Sequence, residues 1–328
     1  MVTNRNPSGG LRCPYENDHF KVFFTLVDYR NTLFTSQDIV KILEFFDSFD
    51  CRNELIEWMR ERPKGIPWIR EVEGDKDIII VVPTADFDGK FARACREEVF
   101  KGQHIIFVES GGKNDFYFNF ASYVNSGIKR AMDYNPKWII YSGDDVYAID
   151  DISILKRELD SIDNMEYDVV FLRPHLNYSV PLYIGEKRFT YDLLRTFLGR
   201  TNGKLYRKYE VKYFYAAKNK LTSFFFRRIR GTDFICTQAF GIFSSRYLAL
   251  RPESLFDETY INEHEDLDMS LQLFLEGVRY KIINYNIGGY IGGTLGLGMD
   301  RELRQVAGRA YFNWKFENLY SKLMIDLR

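Results

Sequence analysis

Lys137-Trp138-Ile139-Ile140-Tyr141-Ser142-Gly143-Asp144-Asp145-Val146 is an apolar run that stops at a glycine and two adjacent aspartates. A short continuous run of this kind fits a strand buried on both faces, as in a parallel sheet. Paired carboxylates at a strand's end repel each other and are tolerated where a cation or a row of donors neutralises them. The same pair also fits an Asx-type turn leaving the strand. Upstream, Ile78-Ile79-Ile80-Val81-Val82 is a second such run, ended by Pro83 and Thr84, and His104 to Glu109 is a third. The segments between them, about 88–101 and 117–133, read as helices. Strands alternating with helices predict a parallel sheet with right-handed crossovers. Ligands of such sheets bind beyond the carboxyl ends of the strands, where Pro83, Glu109 and Asp145 fall.

Farther along stands Asn262-Glu263-His264-Glu265-Asp266-Leu267-Asp268-Met269-Ser270-Leu271. Leu267, Leu271, Phe274, Leu275 and Val278 recur at helical spacing, so a helix is expected here with Asn262 as its N-cap and Glu265 completing a capping box. Acidic residues at a helix start are favoured by the helix dipole without any function. Paired with the strand-end aspartates, they suggest one site: Asp144 and Asp145 hold a metal and a diphosphate, and the Glu265-Asp266 pair supplies a base. His264 could assist that base or simply be a solvated or capping residue.

The chain has 328 residues, 45% hydrophobic and 16% aromatic, enough for one large α/β domain with extensions. A net charge of −1 gives no general case for nucleic acid. The charge is uneven: residues 173–230 hold 14 Lys and Arg against 3 Asp and Glu, with 13 aromatics. Such a segment suits an anionic membrane surface or lipid-linked acceptor, or single-stranded nucleic acid, or a subdomain whose aromatics form their own core. Cys13, Cys51, Cys95 and Cys236 are dispersed, which implies neither a zinc site nor a disulfide framework. Buried free thiols are expected. The polar Met1–Gly10 tail and the lack of a long apolar run predict a cytoplasmic protein, with peripheral membrane contact through 173–230 as an option.

Residues 1–76 read as an N-terminal extension, with a helix from Ser36 to Phe49, a second over 53–60, and a loop punctuated by Gly65, Pro67 and Gly74. The main domain spans 77–318, with residues 173–232 as a basic aromatic insertion and 319–328 as the end of a C-terminal helix. The strand pattern resumes over 234–243 and 279–284. The glycine-rich stretch from Gly288 to Gly298 fits neither a P-loop nor a dinucleotide fingerprint; it reads as a mobile lid or a plain linker.

The order of these pieces resembles the family-2 glycosyltransferases. Its most specific stretches are Asn125-Ser-Gly127-Ile-Lys-Arg-Ala131 through Asp145-Val146, and Phe240-Gly241-Ile-Phe-Ser-Ser-Arg246 through Glu265-Asp266, joined late by Tyr311-Phe-Asn-Trp314-Lys315. The resemblance implies a GT-A (Rossmann-like), mostly parallel sheet flanked by helices. It implies a hexosyltransferase-like enzyme moving a sugar from a UDP, GDP or dTDP donor to a hydroxyl acceptor, with inversion. By the same resemblance Pro83 and Thr84 lie against the base and Glu109 meets base or ribose, with Asn125 also on the nucleotide-sugar side. Gly143 stands at the first place of the Asp-x-Asp element, so Asp145 is the metal ligand, for Mn²⁺ or Mg²⁺, and Asp144 meets ribose or diphosphate. Asp266 would be the general base and Glu265 its neighbour. Two alternatives stay open: a sugar-phosphate nucleotidyltransferase, which would want a Gly-rich basic loop after the first strand, and a non-catalytic nucleotide-sugar-binding protein. The second draws on Gly143 and on the lack of any histidine after Arg279.

Overall fold

A computed structural model describes residues 29–110, 117–173, 177–180, 182–185, 202–211, 213–215, 226–228, 234–237, 240–251, 253–290 and 298–319. The elements in chain order are α1 (Ile39–Asp47), α2 (Arg52–Glu61), β1 (Pro67–Val72), β2 (Asp75–Thr84), α3 (Lys90–Ala94), β3 (Gln103–Ser110), α4 (Phe120–Met132), β4 (Trp138–Ser142), β5 (Val146–Ala148), α5 (Ile152–Asp160), β6 (Val169–Leu172), β7 (Asn177–Val180) and β8 (Leu182–Gly185). There follow α6 (Gly203–Lys208), β9 (Tyr213–Tyr215), β10 (Phe226–Arg228), β11 (Phe234–Thr237), β12 (Phe240–Ser244), α7 (Ser245–Leu250), α8 (Glu265–Glu276), β13 (Tyr280–Ile283), β14 (Ile287–Gly289) and α9 (Met299–Lys315).

Seven strands form the main sheet in the order β1-β3-β2-β4-β12-β6-β13. The pairs β2/β3, β2/β4 and β6/β13 are parallel, as the alternation predicts. The sheet is nonetheless mixed, because β12 runs antiparallel between β4 and β6, and β1 pairs antiparallel with β3 at the edge. Side chains alternate between two buried faces. Ile78, Ile80, Val82, Phe107 and Ile140 join one core, and Ile79, Val81, Ile106, Val108 and Tyr141 join the other. Burial on both faces is why these strands read as continuous apolar runs.

Helix α4 lies so close to the sheet that a Cβ on Gly127 would sit 2.3 Å from Val81 Cγ1. A third core gathers Phe34, Phe45, Phe46 and Trp58 from the N-terminal helices, Tyr206 and Tyr209 from α6 and its end, and Val306, Ala310 and Phe312 from α9. Tyr206 and Tyr209, from the basic aromatic stretch, are thus core residues, and Lys208 Nζ donates to the Phe46 carbonyl at 3.0 Å. Most of 174–233 lies outside the described residues, so the surface roles expected of that stretch do too.

Several local expectations change. β1 occupies the segment read as a loop; Trp68, Ile69 and Arg70 in it are exposed, and Pro67 is tolerated as the first residue of an edge strand. The helix expected from Ser36 begins at Ile39 under Asp38, whose carboxylate accepts from the Val40 N–H. The helix expected over 88–101 is α3 followed by a π-turn, Cys95–Val99. Residues 234–243 split into β11, paired with β7, and β12 in the main sheet. Gly288 and Gly289 belong to β14, which pairs with β5, while 291–297 fall outside the described residues. Cys51 is exposed rather than buried; Cys95 and Cys236 are buried and free. Among the described residues no helix is long and apolar enough to cross a membrane.

Candidate active site at the carboxyl edge of the sheet

β4 delivers the aspartate pair beside the end of β2. Thr84 Oγ1 donates to Asp144 Oδ2 at 2.7 Å, and both residues are buried. Pro83, one residue earlier in β2, is buried as well. From the other side, the Cys95 thiol donates to the Asp144 carbonyl at 3.3 Å. Burial, then the Asp144 and Asp145 charges, pushes that thiol's pKa up, so it is an inert packing group. Asp145 is half-buried, and its carbonyl accepts from the Tyr290 N–H at 2.8 Å, which ties the corner to the end of β14.

α8 carries the second pair of acids, but its start differs from the sequence reading. Asn262 is not the N-cap. Its Oδ1 accepts from the Phe120 N–H at 2.7 Å, which locks the α8 approach onto α4. The cap position is His264, with φ at 76°, and Asn262 also lies in the left-handed region at 56°. Such backbone costs about 1–2 kcal/mol per non-glycine residue and is held here by surrounding contacts. Arg301 binds Glu263 at 2.7 Å, and a Cβ on Gly308 would meet the Glu263 carbonyl at 2.7 Å, so α9 presses directly on this turn. His264 is buried, neither solvated nor capping; burial and the Arg309 charge hold its pKa well below the usual imidazole value. Leu267 and Leu271 face the helical core and Met269 and Leu273 face the sheet, so Phe274 and Leu275 are left exposed.

Glu265 is buried, with Oε2 lacking any hydrogen-bond partner. Burial first and the neighbouring Asp266 second push its pKa well above the carboxylate range. Asp266 is less enclosed. Burial, reinforced by the Glu263 charge and opposed by the Leu267 N–H at 2.7 Å, raises it to about 7. Asp268, on the opposite side of the helix, is buried against Lys315 Nζ at 2.8 Å, and the same ammonium lies 2.7 Å from Asp257.

A chain of hydrogen bonds joins β4 to the start of α8. Tyr141 Oη and Thr237 Oγ1 share a bond of 2.6 Å, the Thr237 N–H donates to Ser270 Oγ at 3.1 Å, and that hydroxyl donates to the Asp266 carbonyl at 2.6 Å. Burial, and then the Asp266 and Glu265 charges, raise the Tyr141 pKa.

The other sequence candidates are placed differently. Asn125 spends its amide on the Phe256 backbone and Glu258, at 2.9 and 3.1 Å, and fixes the turn ahead of α8. Glu109 accepts from the Phe87 N–H at 3.1 Å and pairs with Arg70 at 2.9 Å, a close ion pair without hydrogen-bond alignment. Oε1 is thus engaged by a hydrogen bond, and Oε2 faces Arg70 without one. Arg70 has no sequence signal, because β1 was unreadable.

Among the described residues, one group of three can hold a divalent ion: Glu71, Glu73 and His104, with ligand atoms within 4.8 Å of one another. It lies where β1 ends and β3 begins, at the opposite end of the sheet from Asp145. Arg130 and Lys76 already neutralise its carboxylates, at 2.7 and 3.1 Å, and Tyr134 donates to Glu71 at 2.6 Å. The Asp144-Asp145 corner offers hard oxygen donors only, which suits Mg²⁺ or Mn²⁺ shared with substrate phosphates.

No protein-family model matches the chain, and no curated protein matches it.

Proposed function

We propose that this chain is a glycosyltransferase of the GT-A type, moving a sugar from a nucleoside-diphosphate donor to a hydroxyl acceptor. The observation that carries the reading is Asp266: a partly buried carboxyl raised to about 7, on a residue whose main-chain carbonyl is joined through Ser270 and Thr237 to Tyr141, in the strand that leads into Asp144 and Asp145. A base with a pKa near the working pH suits removal of a hydroxyl proton. Asp144 and Asp145 would hold Mg²⁺ or Mn²⁺, which when bound neutralises the leaving diphosphate.

Within this reading each side chain has a task. Thr84 fixes the Asp144 rotamer, so the corner is preorganised before donor arrives. Asp266 takes the acceptor's proton from the far side of the reacting carbon, which gives inversion. Glu265 keeps its own proton and leaves Asp266 as the single base of the pair. No covalent nucleophile from the protein is required. The nucleotidyltransferase alternative draws no support from the β2–α3 loop, Ala85-Asp86-Phe87-Asp88-Gly89, which lacks a basic glycine-rich cradle.

Calorimetric titration of UDP, GDP and dTDP with Mn²⁺, Mg²⁺ or EDTA tests the donor site. Metal-dependent binding of one nucleotide, lost in Asp145→Ala, is the expected result. Absence of binding to all of them sinks the reading.

A further inference from the structure

Glu109 accepts from the Phe87 N–H through Oε1, and its Oε2 lies 2.9 Å from Arg70 Nε. The group left at this corner is the Arg70 guanidinium, whose side chain is 46% exposed. Arg70 and Arg96 flank the half-buried Phe87 ring, at 5.1 and 4.7 Å from its centroid, and Arg96 donates to the Phe87 carbonyl at 2.6 Å. A guanidinium carries five N–H donors in a planar fork, and one carboxylate oxygen leaves most of them available. The ends of β3 and β4 stand two strands apart, roughly 10 Å at the usual strand spacing. That distance separates a nucleobase from the phosphates of the same nucleotide.

We infer that Arg70 reads the donor's base, selecting one with an exocyclic carbonyl oxygen where cytosine and adenine carry an amine. This rests on the proposed nucleotide-dependent function and deepens it. A donor-only fork rewards a carbonyl oxygen, bidentately with the adjacent ring nitrogen in guanine, and leaves an exocyclic amine facing N–H groups. The ion pair to Glu109 and the contact with Phe87 hold the fork flat, so the choice is set by position as well as charge. Arg70 is then a specificity residue contributed by the N-terminal segment through β1.

The test is calorimetry of UDP, GDP, CDP and ADP with Mg²⁺ on the full chain, Arg70→Ala and Arg70→Lys. Wild type is expected to favour UDP or GDP over CDP and ADP by about tenfold or more. Arg70→Ala should erase that preference with CDP and ADP affinities unchanged, and Arg70→Lys, which keeps the charge but not the fork, should lose most of it. A preference that survives in both variants overturns the inference, as does an equal loss for all four nucleotides, which would mark a phosphate or purely structural role. If Arg70→Ala does not fold, Arg70→Lys decides alone. Wild type that binds none of the four removes the function reading itself, a result distinct from binding with an unaltered preference.

Discussion

Thr84 and Asp144 meet through a buried hydrogen bond of 2.7 Å between the ends of two parallel strands, β2 and β4. The bond fixes one carboxylate of the acidic corner and ties the two strand ends together. Thr84→Val keeps the shape and removes the donor, which should cost about 1–3 kcal/mol because Asp144 stays buried. Thr84→Ser should retain most of it. Chemical denaturation reads the cost, and calorimetry should show nucleotide affinity falling in the valine variant alone.

The Asp266 carboxyl sets a pH signature. Its folded pKa is raised from 3.8 to about 7, so the folded chain binds more protons than the unfolded one between those values. Stability therefore falls as pH rises from about 4 to about 7. Asp266→Asn removes this loss and should be the more stable protein at pH 8, by about 1–3 kcal/mol, with the gap closing below pH 4. The same variant should bind donor nucleotide normally and lack turnover. A wild-type rate profile with its acidic limb near pH 7 completes the expectation; a limb near pH 4 would assign the base elsewhere.

Lys315 holds two carboxylates, Asp257 and Asp268, and the second is almost fully enclosed. Lys315→Met leaves them facing each other without a cation, an effect of about 3–5 kcal/mol for a broken buried pair. Adding Asp268→Asn should restore part of the loss. A double-mutant cycle on melting temperature measures the coupling, and simple additivity would show that the pair is not energetically joined.

Two possible ion sites stand at opposite ends of the sheet, so they can be separated. His104→Ala dismantles the Glu71-Glu73-His104 group and should leave metal-dependent nucleotide binding as it is in wild type. Asp145→Ala should abolish it. The reverse pattern in calorimetry would move the functional ion to the His104 end.

Gly127 permits the close approach of α4 to β2 and β3. In Gly127→Ala the new methyl meets Val81 Cγ1 at 2.3 Å and Val108 Cγ2 at 2.9 Å, so helix and sheet must part. A loss of about 1–3 kcal/mol is expected from overpacking. A melting temperature equal to wild type would mean that α4 moves without cost.

Much of the sheet was legible because β2, β3 and β4 are buried on both faces and must be apolar throughout. β1 was invisible for the opposite reason: Trp68, Ile69 and Arg70 point outward at an edge, and their pattern resembles a loop. The α8 start was misread because Asn262 is chemically a good cap, yet its amide is taken by Phe120, a partner 142 residues away. Asn125 and Glu109 likewise looked free to bind ligand; the Asn125 amide is taken by Phe256 and Glu258, and Glu109 is paired with Phe87 and Arg70.

What the amino-acid order alone determined is the set of apolar strands, the helices between them, and the two acidic punctuation marks at 144–145 and 265–266. These follow from local periodicity and from residue chemistry, which any short window of chain reveals. Only the tertiary structure decided that β12 runs antiparallel, that β1 brings Arg70 to Glu109, and that Tyr141, Thr237 and Ser270 join β4 to the start of α8. Hydrogen bonds and burial between distant segments leave no periodic trace. The raised pKa of Glu265 belongs to that second class: the packing of α8 between two cores withdraws the water its charge would need.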